Sequence, residues 1–236
     1  MFQATISLIS SNWSAAERAC DPVISFRNNC TDAEHNISFE EKIFEEFSGD
    51  EEFFMLWRND KSVIVGSHQV IENEVDLEFA RLHNIQVVRR KTGGGAVYHD
   101  LGNVNFTYIS KRIDEFGNFL VFAEPILGFL RSKGVDAQHI KKNDIGIDGK
   151  KISGNAQRIK NGYILHHGTL MFDVDMEMLE KVLTPAPIKL SSRGIKSVRS
   201  RVCNISEYLP MGRDEFWEEI CSYFKTKGRF SGVQNR

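Results

Sequence analysis

The sequence predicts a single α/β domain, of the α+β kind, in which a central mixed, largely antiparallel sheet is flanked by helices. Three observations predict it. Strand-like runs dominate the middle of the chain, with helical runs punctuating them. Two tight-turn signals, Asp148-Gly149 and Asn161-Gly162, each separate a pair of strand-like runs. No internal repeat, low-complexity linker or composition break divides the chain.

In chain order, Val23-Ile24-Ser25-Phe26 reads as a strand followed by the turn-rich Arg27-Asn28-Asn29. Residues 1–21 lack regular patterning and read as a loose N-terminal extension. Ile37, Phe39, Ile43, Phe44 and Phe47 recur at helical spacing with acids between them, which predicts an amphipathic helix over 36–47. Residues 53–57 and 62–66 read as a hairpin around Arg58-Asn59-Asp60-Lys61. A helix over 72–83, strands over 86–90 and 104–109 with a glycine-rich stretch between them, and a helix over 119–133 follow. Asp148-Gly149 then joins strands 145–147 and 150–153, and Lys160-Asn161-Gly162 joins 155–158 to 163–172. A short helix over 176–183, a basic stretch of little periodicity over 189–201, and an amphipathic helix over 214–227 complete the reading.

Composition bounds the function. Of the 236 residues, 41% are hydrophobic and 26% charged, a soluble globular balance with room for a sizeable core. Thirty basic and 32 acidic residues leave a net charge of −2, so no global field favours nucleic acid or an anionic membrane. Cys20, Cys30, Cys203 and Cys221 are too scattered for a zinc pattern or a compact disulfide framework, which points to a reducing compartment. No apolar run approaches membrane-spanning length, and the start lacks the basic and apolar regions of a signal peptide. The expected location is cytoplasmic.

Three stretches carry chemistry. In the first, Arg89-Arg90 precede Lys91-Thr92-Gly93-Gly94-Gly95-Ala96-Val97-Tyr98-His99-Asp100-Leu101-Gly102-Asn103. Three successive glycines cost backbone entropy, which makes sense where the chain takes positive φ or approaches a ligand closely. Backbone N–H groups of such a loop form an anion nest, and arginines add forked donors for phosphate or carboxylate. The plain alternative is a tight turn with surface arginines. The stretch lacks the Gly-Lys-Ser/Thr of a P-loop and the spaced glycines of dinucleotide folds.

In the second stretch, Asn143-Asp144 precede Lys150-Lys151-Ile152-Ser153-Gly154, and strand alternation puts Lys151 and Ser153 on one face with Lys150 and Ile152 on the other. An inward Lys151 beside small residues reaches a buried anion and leaves Lys150 as the solvated lysine. In the third, the adjacent His166 and His167 on a strand point to opposite faces, so they cannot chelate one metal together, and at least one is a packed, hydrogen-bonded histidine.

With Ser197-Val198-Arg199-Ser200-Arg201-Val202-Cys203-Asn204, these stretches in this order resemble the lipoate-protein ligase A family, from about residue 23 to 224. The resemblance implies the fold shared by biotin and lipoate protein ligase catalytic domains, over 22–236, without the C-terminal accessory domain that longer members carry. It implies ATP-dependent activation of lipoate to lipoyl-AMP, with Mg²⁺, and transfer of the lipoyl group to a lysine of a carrier domain. Arg90, Gly93, Gly94, Gly95, Ala96, Val97, Tyr98 and Lys151 would contact ATP or lipoyl-AMP, and Lys151 would be catalytic at the junction of carbonyl and α-phosphate. Thr92, His99, Asn143, Asp144 and His167 would line the lipoate pocket, with Asp144 also offered to Mg²⁺. Trp57, Glu40 and Gly66 stand near the pocket in the same reading, with core packing or a helix face as their equal alternative. The implied partners are lipoyl domains of 2-oxoacid dehydrogenase E2 subunits and the glycine cleavage H protein, with a separate accessory polypeptide in some members; the expected state is a monomer.

The first rival is an octanoyl- or lipoyl-transferase on the same fold, working through a cysteine thioester and drawing the acyl group from preformed acyl-AMP or an acyl-carrier donor. Its thioester relatives carry a cysteine where this chain reads 135–139 or 184–187, and neither region has one. The second is a degenerate, non-catalytic ligase fold, against which the intact Arg90, triple glycine and Lys151 argue. Biotin ligase lacks support because its Gly-Arg-Gly-Arg-type loop is missing.

Overall fold

The computed structural model describes residues 23–183, 201–227 and 229–231. The anticipated N-terminal extension, Cys20 and most of the basic stretch 189–201 lie outside the described residues. Alternation builds the centre of the fold. Strand β6 (Asn103–Ser110) is buried along its whole length. One of its faces, Val104, Phe106 and Tyr108, enters a large apolar cluster with helices α3 (Phe119–Ser132) and α5 (Arg213–Lys227). The other face carries Asn103, Asn105, Thr107 and Ile109.

Around β6, the described residues form an eight-stranded sheet in the order β11-β1-β2-β6-β10-β9-β8-β7. Its members are β1 (Val23–Arg27), β2 (Glu52–Trp57), β7 (Gln138–Lys141), β8 (Asp144–Ile147), β9 (Lys150–Lys160), β10 (Tyr163–Met171) and β11 (Arg229–Ser231). Pairings are antiparallel except where β1 meets β2 and β11, so the expected mixed, largely antiparallel sheet is present. A second sheet, β4-β3-β5, comprises β3 (Ser62–Val65), β4 (Gln86–Arg89) and β5 (Val97–His99).

Helix α1 (Ala33–Glu46) lies against the second face of the large sheet, where Ala33, Ile37, Ile43 and Phe44 pack with Phe53, Met55, Trp57, Ile109 and Leu165. Asp32 starts it as N-cap, its carboxylate accepting the His35 N–H at 2.7 Å. Helices α2 (Leu77–Leu82) and α4 (Met176–Val182) cover the small sheet around Val63, Val65 and Tyr98. No helix among the described residues is long and apolar enough to cross a membrane.

Both glycine turns form as read: Asp148 and Gly149 have φ of 51° and 73°, Asn161 and Gly162 of 51° and 78°, the paired positive angles of two-residue hairpins. The expected hairpin of residues 53–66 does not form. β2 and β3 belong to different sheets, each running between two other partners. Both strands are apolar and almost fully buried, so each lies in a sheet interior, and the segment between them crosses from one sheet to the other. Asn36 of α1 holds that crossing, its Nδ2 donating to Arg58 O at 3.1 Å and Asn59 Oδ1 at 2.9 Å.

The helix expected over 72–83 is split into a 3-10 turn, Ile71–Asn73, and α2. Val75 is drawn into a bridge with Leu183, and Asp76 restarts the helix by accepting the Phe79 N–H at 2.9 Å. Strands β5 and β7, not anticipated, are short, and β5 hides inside the glycine-rich stretch.

Candidate active site

The two sheets face one another across a cleft. The large sheet supplies Trp57, Asn105, His167 and Thr169, the small sheet with its loop supplies Ile64, Val97, His99, Arg90, Gly94 and Gly95, and α1 supplies Ile37. One part of the wall is apolar, made by Ile37, Trp57, Ile64 and Val97; another holds Asn143, Lys151, Gly154 and Asn155.

The β8–β9 hairpin delivers Lys151. A bulge shifts its register, so that Ile145 faces Ser153 while Gly146 faces Lys151. Lys150 is exposed and Lys151 faces the cleft, as alternation predicted. Ser153 departs from the expectation. It pairs with Ile145, accepts a 3.3 Å bond from Asn155 Nδ2 and does not line the cleft, because the bulge inserts one residue between the two positions. Gly154 takes the place beside the lysine, where an added Cβ would stand 2.7 Å from Lys151 Nζ. Lys151 Nζ makes a 2.7 Å ion pair with Asp144 Oδ1. Asn143 braces the hairpin by donating to Asn155 O at 2.8 Å, while its own carbonyl accepts the Asn155 N–H at 2.9 Å.

Arg90 is 7% exposed and holds the glycine loop from behind. Its Nη2 donates to Gly93 O and Gly95 O, each at 2.8 Å, its Nη1 to Ile64 O at 2.8 Å and its Nε to Thr92 Oγ1 at 3.1 Å. Burial lowers the guanidinium to about 10, offset in part by the negative field of Glu40. Of the three glycines only Gly94 takes a positive φ, 96°; Gly93 and Gly95 have open space where a side chain would begin. Gly66 is the tight partner: an added Cβ there would lie 2.2 Å from Gly94 O.

Several expected residues serve the frame. Tyr98 turns its side chain away from the cleft into the small-sheet core, where burial pushes its hydroxyl well up and leaves it unpartnered among the described residues. Ala96 packs against the same core. Asp100 fastens the turn after β5 to α4, accepting the Gly102 N–H at 2.8 Å and the Asp175 N–H at 2.9 Å. An added Cβ at Gly102 would lie 1.9 Å from Asp173 O, so that glycine permits a close backbone crossing.

The two histidines do face opposite ways. His166 lies between Phe106 and Phe122, with ring centroids at 6.0 and 5.0 Å, and burial lowers it to about 3. His167 lines the cleft, its Nδ1 bonded to Glu40 Oε2 at 2.9 Å and its Nε2 to Thr92 Oγ1 at 2.8 Å. His99 is fully neutral near pH 7, lowered to about 3 by burial and then by the fields of Arg90 and His167.

Sequence reading missed the polar stripe of β6. Thr107 accepts from Trp57 Nε1 at 3.0 Å and donates to Glu40 Oε1 at 2.5 Å. Asn103 donates to Asn105 Oδ1 at 2.8 Å, and Asn105 Nδ2 and His99 Nε2 are buried without a partner among the described residues. The signal was present: Asn103, Asn105 and Thr107 alternate with Val104, Phe106 and Tyr108 along one buried strand.

For a divalent cation, no cluster of three or more His, Cys, Asp or Glu occurs among the described residues. Asp144 offers one carboxylate, which suits a Mg²⁺ ion that takes its other ligands from water and substrate phosphates rather than from a protein cage.

The chain matches the model of the lipoyl protein ligase A/B catalytic domain over residues 32–225. It is 43% identical over 191 residues to lipoate-protein ligase LplJ of Bacillus subtilis, a match spanning 80% of this chain and 58% of that protein. Among solved structures, the bipartite lipoate protein ligase of Thermoplasma acidophilum, described with its E2 lipoyl domain, superposes with a TM-score of 0.77 at 31% identity, covering 92% of this chain and 88% of that one. A lipoate-protein ligase A bound with ATP gives 0.75 at 28% identity, over 92% and 90% of the two chains. The chain therefore belongs to the lipoyl protein ligase A/B catalytic domain family. It spans little more than half the length of the Bacillus relative.

Proposed function

We propose that this chain is the catalytic part of a lipoate-protein ligase, which activates lipoate with ATP to lipoyl-AMP and transfers the acyl group to a lysine of a lipoyl carrier domain. The observation that carries this reading is one cleft with an apolar wall of Ile37, Trp57, Ile64 and Val97 and, in the same cavity, the cation of Lys151 and the open glycine loop. The likeness to a ligase of Bacillus subtilis and to a ligase solved with ATP supports it.

An acyl carboxylate and the α-phosphate of ATP are both anions, so their approach needs fixed positive charge. Lys151 supplies it at the reacting carbonyl. Substrate displaces Asp144 as its partner, and the same ammonium then stabilises the oxyanion that forms when the carrier amine attacks the mixed anhydride. Gly93, Gly94 and Gly95, held in place by Arg90, present main chain to the phosphates, while His99, Thr92, Asn143 and His167 shape the cleft. Asp144 would hold a Mg²⁺ ion in part, and the ion would supply charge neutralisation on the triphosphate.

The acceptors in this reading are lipoyl domains of 2-oxoacid dehydrogenase E2 subunits and the glycine cleavage H protein. The protein acts as a cytoplasmic monomer, with residues 22–236 as its catalytic domain. The E2 lipoyl domain described with the Thermoplasma ligase supports a lipoyl-domain acceptor.

Mass spectrometry of an apo lipoyl domain incubated with this protein tests the reading. One arm supplies lipoate and Mg·ATP, the other synthetic lipoyl-AMP. Lipoylation from lipoate and Mg·ATP supports it, and transfer from lipoyl-AMP alone favours instead the transferase that works from preformed acyl-AMP. An unmodified carrier in both arms overturns it.

A further inference from the structure

Glu40 sits on α1, fifty residues before Arg90 in the chain, is 5% exposed and does not line the cleft. Its carboxylate nevertheless ends a continuous line of hydrogen bonds. Thr107 Oγ1 donates to it at 2.5 Å, and His167 Nδ1 lies 2.9 and 3.1 Å from its two oxygens. A carboxylate only accepts, so Nδ1 carries a proton, and the Thr92 hydroxyl has no acceptor other than Nε2 among the described residues, which leaves Nε2 as the acceptor. The Thr92 hydroxyl donates to that Nε2 across 2.8 Å, and its oxygen in turn accepts Arg90 Nε–H at 3.1 Å. Every bond in the line runs from Arg90 toward Glu40.

No carboxylate makes a direct ion pair with Arg90 among the described residues. Glu40 is the acid whose field raises the guanidinium against its burial, and the two buried groups are joined through Thr92 and His167. The remaining donors of Arg90 hold the carbonyls of Ile64, Gly93 and Gly95. The orientation of the guanidinium therefore sets the path of the glycine loop.

We propose that Glu40 is a positioning residue for the glycine loop, acting through the ring tautomer of His167 and the hydroxyl of Thr92 on Arg90. It governs nucleotide affinity although it lies outside the cleft. Glu40→Gln keeps the volume but offers an amide, which donates as well as accepts, and the direction of the line is no longer fixed. The nucleotide consequence rests on the ligase reading above; the tautomer and the arginine contact do not.

The test uses the full chain with ¹⁵N-labelled histidine and arginine. In the unaltered protein, NMR should show His167 as the Nδ1–H tautomer and a slowly exchanging Arg90 Nε–H. In Glu40→Gln the tautomer should become mixed and the Arg90 proton exchange on the order of tenfold faster, the loss of about one charge-assisted bond. Thr92→Val cuts the line on the other side of His167. It should release the Arg90 proton while His167 keeps its Nδ1–H form, and it keeps the proposal testable if Glu40→Gln does not fold. Both variants should weaken ATP binding about tenfold by calorimetry, and Glu40→Asp should recover part of that loss.

A folded Glu40→Gln protein with an unchanged tautomer and a protected Arg90 Nε–H would overturn the proposal. So would a Thr92→Val protein in which the Arg90 proton stays protected. Absence of ATP binding in the unaltered protein defeats the ligase reading instead, and the two NMR readings still decide the relay.

Discussion

Lys151 Nζ and Asp144 Oδ1 are 2.7 Å apart at the base of the β8–β9 hairpin, and Gly154 leaves the space in which the lysine lies. The pair is one-third exposed on the lysine side, and such pairs contribute only about 0–1 kcal/mol to stability. Lys151 is therefore free to change partner at little cost to the fold. Lys151→Ala should abolish carrier lipoylation from both lipoate with ATP and lipoyl-AMP, with a melting temperature within a few degrees of the parent. Lys150→Ala, which alters the exposed neighbour, should keep near-parental activity. Equal losses in the two variants would show that the faces of β9 are misassigned.

The glycine loop makes a different kind of prediction, because its three glycines are not equivalent. At Gly95 a side chain would begin in open space inside the cleft, so Gly95→Ala should fold normally and raise KM for ATP. At Gly66 the added methyl would collide with the main chain of Gly94 at 2.2 Å, so Gly66→Ala should lower the melting temperature by several degrees or more and displace the loop. Comparing melting curves with nucleotide titrations separates the two, and a stable Gly66→Ala protein would contradict the close approach of the two segments.

Much of this was legible in the sequence because it depends on local rules. Period-2 alternation put Lys150 and Lys151, and likewise His166 and His167, on opposite faces, the family resemblance singled out Lys151 and His167 as the pocket members, and paired glycine-turn signals located both hairpins. What was not legible depends on long-range partners. Nothing local says that β2 and β3 join different sheets, since apolar strands separated by a polar turn look the same whether they pair or part. The bulge that removes Ser153 from the cleft is likewise a property of pairing with β8. Glu40 reads as an ordinary acid on an amphipathic helix until the strands that carry Thr107 and His167 are beside it.

Stability should fall as the medium is made mildly acid. His99 and His166 are buried neutral, lowered to about 3 by burial, whereas an unfolded histidine titrates near 6.5. Between those limits the unfolded chain binds more protons than the folded one, so stability declines as pH drops below about 6.5, by roughly 1.4 kcal/mol per pH unit for each histidine. Asp100, raised by burial, acts in the opposite sense but within the carboxylate range, below the first part of this decline. Calorimetry from pH 7.5 to 5.5 should show a falling melting temperature, and His166→Gln should flatten the slope while lowering the plateau. A constant melting temperature across that range would mean the two rings are not buried neutral.

The last prediction separates an adenylate mechanism from a thioester one and rests on where the thiols are. A thioester needs a thiolate at the acyl carbonyl, activated by a neighbouring cation. No cysteine lines the cleft among the described residues. Cys203 and Cys221 belong to the large core on the far face of the sheet; burial pushes the first thiol up and the second up to about 12, so both remain protonated. Cys30 is half-buried beside α1, and Cys20 lies outside the described residues. A variant with alanine at 203 and 221 and serine at 20 and 30 should keep most of its specific activity and lose about 1 kcal/mol of stability at each core position through the small cavities left behind. The acyl group held during turnover should leave the denatured enzyme as free lipoyl-AMP. An acylated cysteine peptide recovered from denatured protein, or a folded cysteine-free variant unable to lipoylate its carrier, would reassign the chemistry to a thioester acyltransferase.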